Sequence, residues 1–253
     1  MSKKILVTRP AHQAAPLCHL IEQQGWQAVR FPVIEILATE LSRLDQQRIQ
    51  ILEQYQFLFF ISANAVHFLL EKMQGKTEVL RATVCVAVGK ATLNALSEQG
   101  VHKVLSPAAG FNSEAVLKIA ELQQLQGQSC LIVRGKGGRE LLAETLRARG
   151  AQVDYLEVYQ RTIPKQETVQ IAEDLLNESL AAIVIYSGDA LNNLLIMLAK
   201  QELQQKMLAV PLIVISQRVQ KIAQKMGFKK IIVAEQASDK AMINAILNGE
   251  ECG

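Results

Sequence analysis

The chain alternates short apolar runs with stretches in which apolar residues return every three or four positions. Residues 5–7 form the first run, a helical period over 14–24 follows and stops at Gly25, and residues 28–36 read as a second extended segment. Further β-branched and aromatic runs at 57–61, 84–88, 103–105, 131–133, 183–186, 212–215 and 231–233 show little polar alternation. That is the pattern of strands covered on both faces, as in parallel sheets. Strand, helix and strand in this succession predict an α/β fold.

The pattern also repeats along the chain. The segment YQFLFFISANAVHFLL resembles LAAIVIYSGDALNNLL, which pairs Ser62 with Ser187, 125 residues apart. VAVGKATLNALSEQG resembles IVISQRVQKIAQKMG and pairs Gly100 with Gly227, 127 residues apart. The opening KILVTRP and its following helix resemble the stretch beginning CLIVRGKGG at Cys130. A repeat of about half the chain predicts two similar parallel-sheet α/β domains. With 253 residues, 49% of them hydrophobic, the chain has the apolar material for two cores.

Charge narrows the partners. Lys and Arg number 27 against 24 Asp and Glu, and no basic stripe of the kind that nucleic acid requires is visible. Cys18, Cys85, Cys130 and Cys252 have no CxxC spacing, and Cys85 and Cys130 lie in apolar runs, which favours a reducing compartment. Arg9 and Pro10 follow the first apolar residues too soon for an export signal, and no run approaches the ~20 residues of a membrane helix. A cytoplasmic protein without membrane association is expected.

Ligands of open parallel sheets bind beyond the carboxyl ends of the strands. The residues expected there are Thr8 and Arg9; Ser62, Ala63 and Asn64; Gly89 to Thr92; Ser106; Arg134, Gly135, Lys136 and Arg139; Ser187, Gly188 and Asp189; and Ser216 and Arg218. Small residues leave the N–H groups of helix starts uncovered, and arginines add positive charge, so an anionic ligand fits. His12, His19, His67 and His102 are scattered without metal-ligand spacing, so no metal is expected. There is no GxSxG elbow and no GxxxxGK[ST] loop, and the glycine loop at 135–138 has Glu140 where a dinucleotide fingerprint needs its last glycine.

Taken in order, these motifs resemble the uroporphyrinogen-III synthase family, in particular its bacterial form. The resemblance rests on ILVTRP (5–10), Phe31-Pro32 with Glu35, SANAV (62–66), AVGKAT (87–92), GFNSE (110–114), RGKGGRE (134–140) and VYQ (158–160). It departs at SQRV (216–219), where many members carry a Gly and a Thr, so Ser216 and Arg218 become the residues to inspect. The resemblance implies domains of 1–34 plus 166–253 and of 35–165, joined by two extended connector strands at 31–36 and 156–164. It places the active site in a cleft between domains that close on the substrate. The implied partner is hydroxymethylbilane, a polyanionic linear tetrapyrrole, handled by a monomeric lyase without cofactor.

By that resemblance Tyr159 is the catalytic candidate, because a phenol keeps its proton at neutral pH and can give it to a departing hydroxyl. Packing of the ring is the competing role, with Tyr155 as a nearby stand-in. The implied substrate-binding residues are Arg9, Ser62, Ala63, Asn64, Gly89, Thr92, Arg134, Gly135, Arg139, Ser187, Gly188, Ser216 and Arg218. For Ser62, Asn64 and Ser187 the plain alternative is helix capping; for the arginines it is a solvated ion pair. Lys136 reads as a screened surface charge, and Trp26 and Phe111 as packing residues. The competing function is a two-domain binder of small anions or nucleotides that performs no chemistry.

Overall fold

The computed structural model describes residues 3–110, 112–138 and 140–251. By contacts the chain divides into two compact units, Met1–Glu35 with Thr162–Gly253, and Ile36–Arg161. Phe111, Arg139 and Cys252 lie outside the described residues.

The chain begins with β1 (Lys4–Val7), α1 (Ala11–Gln23) and β2 (Gln27–Arg30). The elements that follow are β3 (Glu35–Ala38), α2 (Arg43–Gln50), β4 (Phe57–Phe60), α3 (Ala63–Lys72), α4 (Glu78–Ala82), β5 (Val84–Ala87), α5 (Lys90–Glu98) and β6 (Val104–Leu105). Next come α6 (Ser113–Val116), β7 (Ser129–Gly135), α7 (Leu141–Ala148) and β8 (Gln152–Thr162). The chain closes with α8 (Val169–Leu176), β9 (Leu180–Ile185), α9 (Gly188–Met197), α10 (Gln201–Ala209), β10 (Leu212–Val214), α11 (Gln217–Lys225), β11 (Ile231–Val233) and α12 (Asp239–Glu251).

One unit holds a sheet in the order β11-β10-β9-β1-β2, the other a sheet in the order β3-β8-β7-β4-β5-β6. Pairing is parallel from β11 through to β2, and from β8 through to β6. Each sheet is covered on both faces, and the strand period of two shows it. Leu6 packs into one core while Ile5 and Val7 pack into another; Leu58 and Phe60 face one way and Phe59 the other. Phe59 and Phe60 are fully buried, each worth roughly 2–3 kcal/mol of transfer free energy. Trp26 is a partly buried packing residue.

The repeat is visible in the strand register. Val7 lies opposite Val184 and Phe59 opposite Ile132, so both members of each pair stand 125 residues from their counterparts. Gly100 and Gly227, paired by the sequence repeat, both adopt the left-handed conformation, at φ 72° and 91°, one residue beyond a helix C-cap.

Two local expectations need correction. Residues 28–36 are not one extended segment, since 31–34 belong to neither β2 nor β3. Pro32 has no N–H for a ladder, and its neighbours instead continue along β1, with Phe31 N–H donating to Val7 O (2.9 Å) and Val33 N–H to Thr8 O (3.2 Å). Helix α1 starts at Ala11, earlier than the apolar period indicated, and accommodates Pro16 in its interior. Pro10, with φ −48°, already presets the chain at its N-cap.

Candidate functional site

Because β7, β4 and β5 are parallel neighbours, Arg134 and Gly135, Ser62 to Asn64, and Gly89 to Thr92 come to one edge of one sheet. Ser62 is extended at φ −159°, and its Oγ accepts the Ala65 N–H at 3.1 Å, capping α3. Ala63 and Asn64 form the first turn behind it. Gly89 is the N-cap of α5 without a capping side chain, and Thr92 is buried in the first turn of that helix. The capping role expected for Ser62 is present, while Asn64 lies within the helix.

Tyr159 reaches this edge through an irregularity in β8. Along β7 and β8, Arg134 faces Glu157, but Gly135 faces Tyr159, so one residue is skipped between them. In a regular strand Tyr159 would point to the opposite side from Val158; here Leu156, Val158 and Tyr159 all join the same core. The bulge has re-aimed the tyrosine. Its ring stacks on Phe68, with centroids 5.7 Å apart, and its hydroxyl lies 3.0 Å from Ser62 Oγ. A Cβ on Gly135 would stand 2.5 Å from the Tyr159 ring, so glycine is needed there to make room.

Arg134 sits beside this pair but is already engaged. Its guanidinium lies 3.8 Å over the Tyr155 ring, 3.0 Å from Glu140 Oε1 and 3.3 Å from Glu157 Oε1. Tyr155 O–H donates to Glu140, and Gly137 N–H donates to Glu157 at 3.0 Å. The hydrogen bond from Tyr155, then Arg134, holds the Glu140 carboxyl below the usual carboxylate range. Burial, then Glu140, pushes the Tyr155 phenol up.

The other unit repeats the theme. Strands β1, β9 and β10 are neighbours, which brings together the ends carrying Arg9, Ser187 with Gly188, and Ser216. Arg9 Nη1 lies 2.6 Å from Asp239 Oδ1 and its guanidinium 4.4 Å over the Tyr186 ring; Tyr186 O–H donates to the same carboxylate. Burial and Asp239 raise the Tyr186 phenol. Ser187 caps α9 as Ser62 caps α3, accepting the Ala190 N–H at 3.1 Å. Gly188 opens that helix, with an Ile222 methyl 2.7 Å from where a Cβ would stand. Ser216 precedes α11 in extended conformation without a side-chain capping bond, and Arg218 is exposed. Thr8 is buried and donates to Val184 O at 2.7 Å.

Arg9 and Arg134, 125 residues apart, are therefore counterparts, each between a tyrosine face and a carboxylate. Sequence reasoning missed those carboxylates. Asp239 is 230 residues from Arg9, beyond any local spacing rule; Glu140 was close enough to notice, as RGKGGRE carries both residues. Asn112 caps α6 and, with Ser106, Gly110, Glu114 and Lys118, lines a depression of about 580 Å³. Among the described residues no group of three or more His, Cys, Asp or Glu could hold a metal ion, and no helix is long and apolar enough to cross a membrane.

Residues 15–244 match the family model for uroporphyrinogen-III synthase HemD. The chain belongs to the uroporphyrinogen-III synthase family. The family member from Escherichia coli is 33% identical over 244 residues, covering 96% of this chain and 99% of the relative. A crystal structure of a mutant uroporphyrinogen III synthase from Thermus thermophilus shares the fold with a TM-score of 0.66 at 18% identity, covering 100% of both chains. The uroporphyrinogen-III synthetase of Helicobacter pylori does so with a TM-score of 0.65 at 18% identity, covering 97% of this chain and 99% of that one.

Proposed function

We propose that this chain is a uroporphyrinogen-III synthase acting as a lyase, which closes hydroxymethylbilane into uroporphyrinogen III with loss of water and inversion of the last pyrrole. The observation that carries the reading is the bulge that turns Tyr159 toward Ser62 at the edge where β4, β5 and β7 end. Family membership supports the synthase reading. The geometry offers a phenol, hydroxyls and helix starts at one sheet edge, an arrangement that does not call for a strong acid.

The substrate's arms are carboxylates, and helix N-termini at Ser62 to Asn64 and Gly89 to Thr92 offer N–H donors to them. Tyr159 donates its proton to the departing hydroxyl, which leaves as water and generates an electrophilic azafulvenium carbon. The far pyrrole attacks through its substituted carbon to form a spiro-pyrrolenine, which fragments and recloses with that ring turned around. The closing pyrrole sheds a proton, which returns to the Tyr159 oxygen. Because the bilane also closes without inversion, holding one near-attack geometry matters more than acid strength. The enzyme works as a monomer in the cytoplasm without added cofactor.

Arg134 acts at the same sheet edge. It is already paired with Glu140 and Glu157, so a substrate arm must share or displace a partner. Tyr159→Phe tests the reading by keeping the ring and deleting the hydroxyl. The expected result is a kcat about ten-fold lower, equivalent to ~1.4 kcal/mol, with KM within two-fold. Unchanged turnover and unchanged product isomers would remove Tyr159 from the mechanism.

A further inference from the structure

Ser62 makes two bonds where a helix cap needs one. A serine hydroxyl has one proton and two lone pairs, and one lone pair is committed to the Ala65 N–H at 3.1 Å. The Tyr159 hydroxyl stands 3.0 Å away. Tyr159 cannot drift from it: the residue is 4% exposed, stacked on Phe68 and lodged against Gly135, which has no side chain to yield. The counterpart cap, Ser187, makes the same bond to Ala190. The second bond of Ser62 therefore goes beyond what capping requires.

We propose that Ser62 is a positioning residue that donates its proton to the Tyr159 oxygen and turns the phenol's own proton toward the departing hydroxyl. This inference rests on the reading of Tyr159 given above. In the opposite arrangement Tyr159 spends its proton on Ser62 and leaves only an aliphatic alcohol, a weaker acid, to face the substrate. With Ser62 as donor, its bond strengthens as negative charge develops on the phenol oxygen, because a hydrogen bond to the charged form favours that form. The benefit appears while the proton is leaving and is small before. Loss of the Ser62 hydroxyl therefore lowers kcat and leaves KM nearly unchanged.

The test is a double-mutant cycle in the full chain with hydroxymethylbilane as substrate. Ser62→Ala is expected to lower kcat about five- to ten-fold with KM within two-fold. Ser62→Thr, which keeps hydroxyl and cap, restores most of the rate. The double variant of Ser62→Ala and Tyr159→Phe falls no further than Tyr159→Phe alone, because the serine acts through the phenol. Ser187→Ala, losing the same kind of cap, calibrates how much of any Tm loss in Ser62→Ala comes from the helix start. Should Ser62→Ala fail to fold, Ser62→Gly removes the hydroxyl at little cost to the cap and carries the same expectation. Near-normal turnover in the Ala or Gly variant beside an impaired Tyr159→Phe overturns this inference alone. Defects that multiply in the double variant also overturn it. Full turnover in Tyr159→Phe overturns it together with the reading on which it rests.

Discussion

Gly135 is the residue on which the place of Tyr159 most directly depends. An alanine there would put its Cβ 2.5 Å from the ring, so the ring or the strand must move. Overpacking of this kind costs about 1–3 kcal/mol, which lowers Tm by several degrees in a chain of this size. Gly135→Ala should therefore melt earlier and lose kcat, as followed by thermal unfolding and steady-state kinetics. An alanine variant with normal melting and turnover would place Tyr159 elsewhere. The sequence marked both Gly135 and Tyr159, but not that one makes space for the other. Their meeting depends on a skipped residue between β7 and β8, and a bulge leaves no trace in the apolar period. Cys85 and Cys130 were legible as core thiols, and both are buried, with burial pushing each thiol up to about 12. Alkylation at pH 8 followed by peptide mapping should leave both unmodified in the folded protein and modify both after denaturation. Rapid labelling of the native protein at either would contradict their burial.

At the scale of elements, strand runs were the most legible feature. Residues 231–233 coincide with β11, and the runs at 57–61 and 84–88 overlap β4 and β5 to within a residue. β4 and β5 are largely buried and β11 packs partly buried side chains against the cores on both faces, so hydrophobicity alone marks them. Where the chain is held by polar groups the sequence says less. Arg48 of α2 bonds to Asp154 of β8 at 2.9 Å, and Asp154 also accepts the Tyr55 hydroxyl at 2.9 Å, ties across about a hundred residues that no spacing announces. Burial, then the hydrogen bond to Asp154, pushes the Tyr55 phenol up to about 12. The folded state thus holds this proton more tightly than the unfolded chain, whose phenol titrates near ~10. The resulting stabilisation is complete below pH ~10 and is lost as pH rises toward 12. Urea unfolding midpoints should fall over that interval in the wild-type chain, and less steeply in Tyr55→Phe. Equal slopes in the two proteins would separate Tyr55 from the alkaline loss of stability.

At the scale of the molecule, the repeat was legible because the Ser62–Ser187 similarity and the strand register share a spacing of 125 residues, which widens to 127 by Gly100 and Gly227. The chain passes between units at 35–36 and again at 161–162, the second time within β8, which runs without interruption from Gln152 to Thr162. One unit is a single stretch of chain with its own cores on both faces of its sheet. A fragment of residues 35–162 should therefore fold alone with a cooperative thermal transition. A fragment without cooperative melting would mean that this unit depends on the other for its stability. Freshly prepared hydroxymethylbilane is incubated with the protein in chelator-treated, nucleotide-free buffer, and the oxidised products are separated by isomer. Synthase activity predicts that uroporphyrin III predominates over the uninverted I isomer that forms without enzyme. Accumulation of isomer I at the uncatalysed rate, or isomer III only after a cofactor is added, would contradict it.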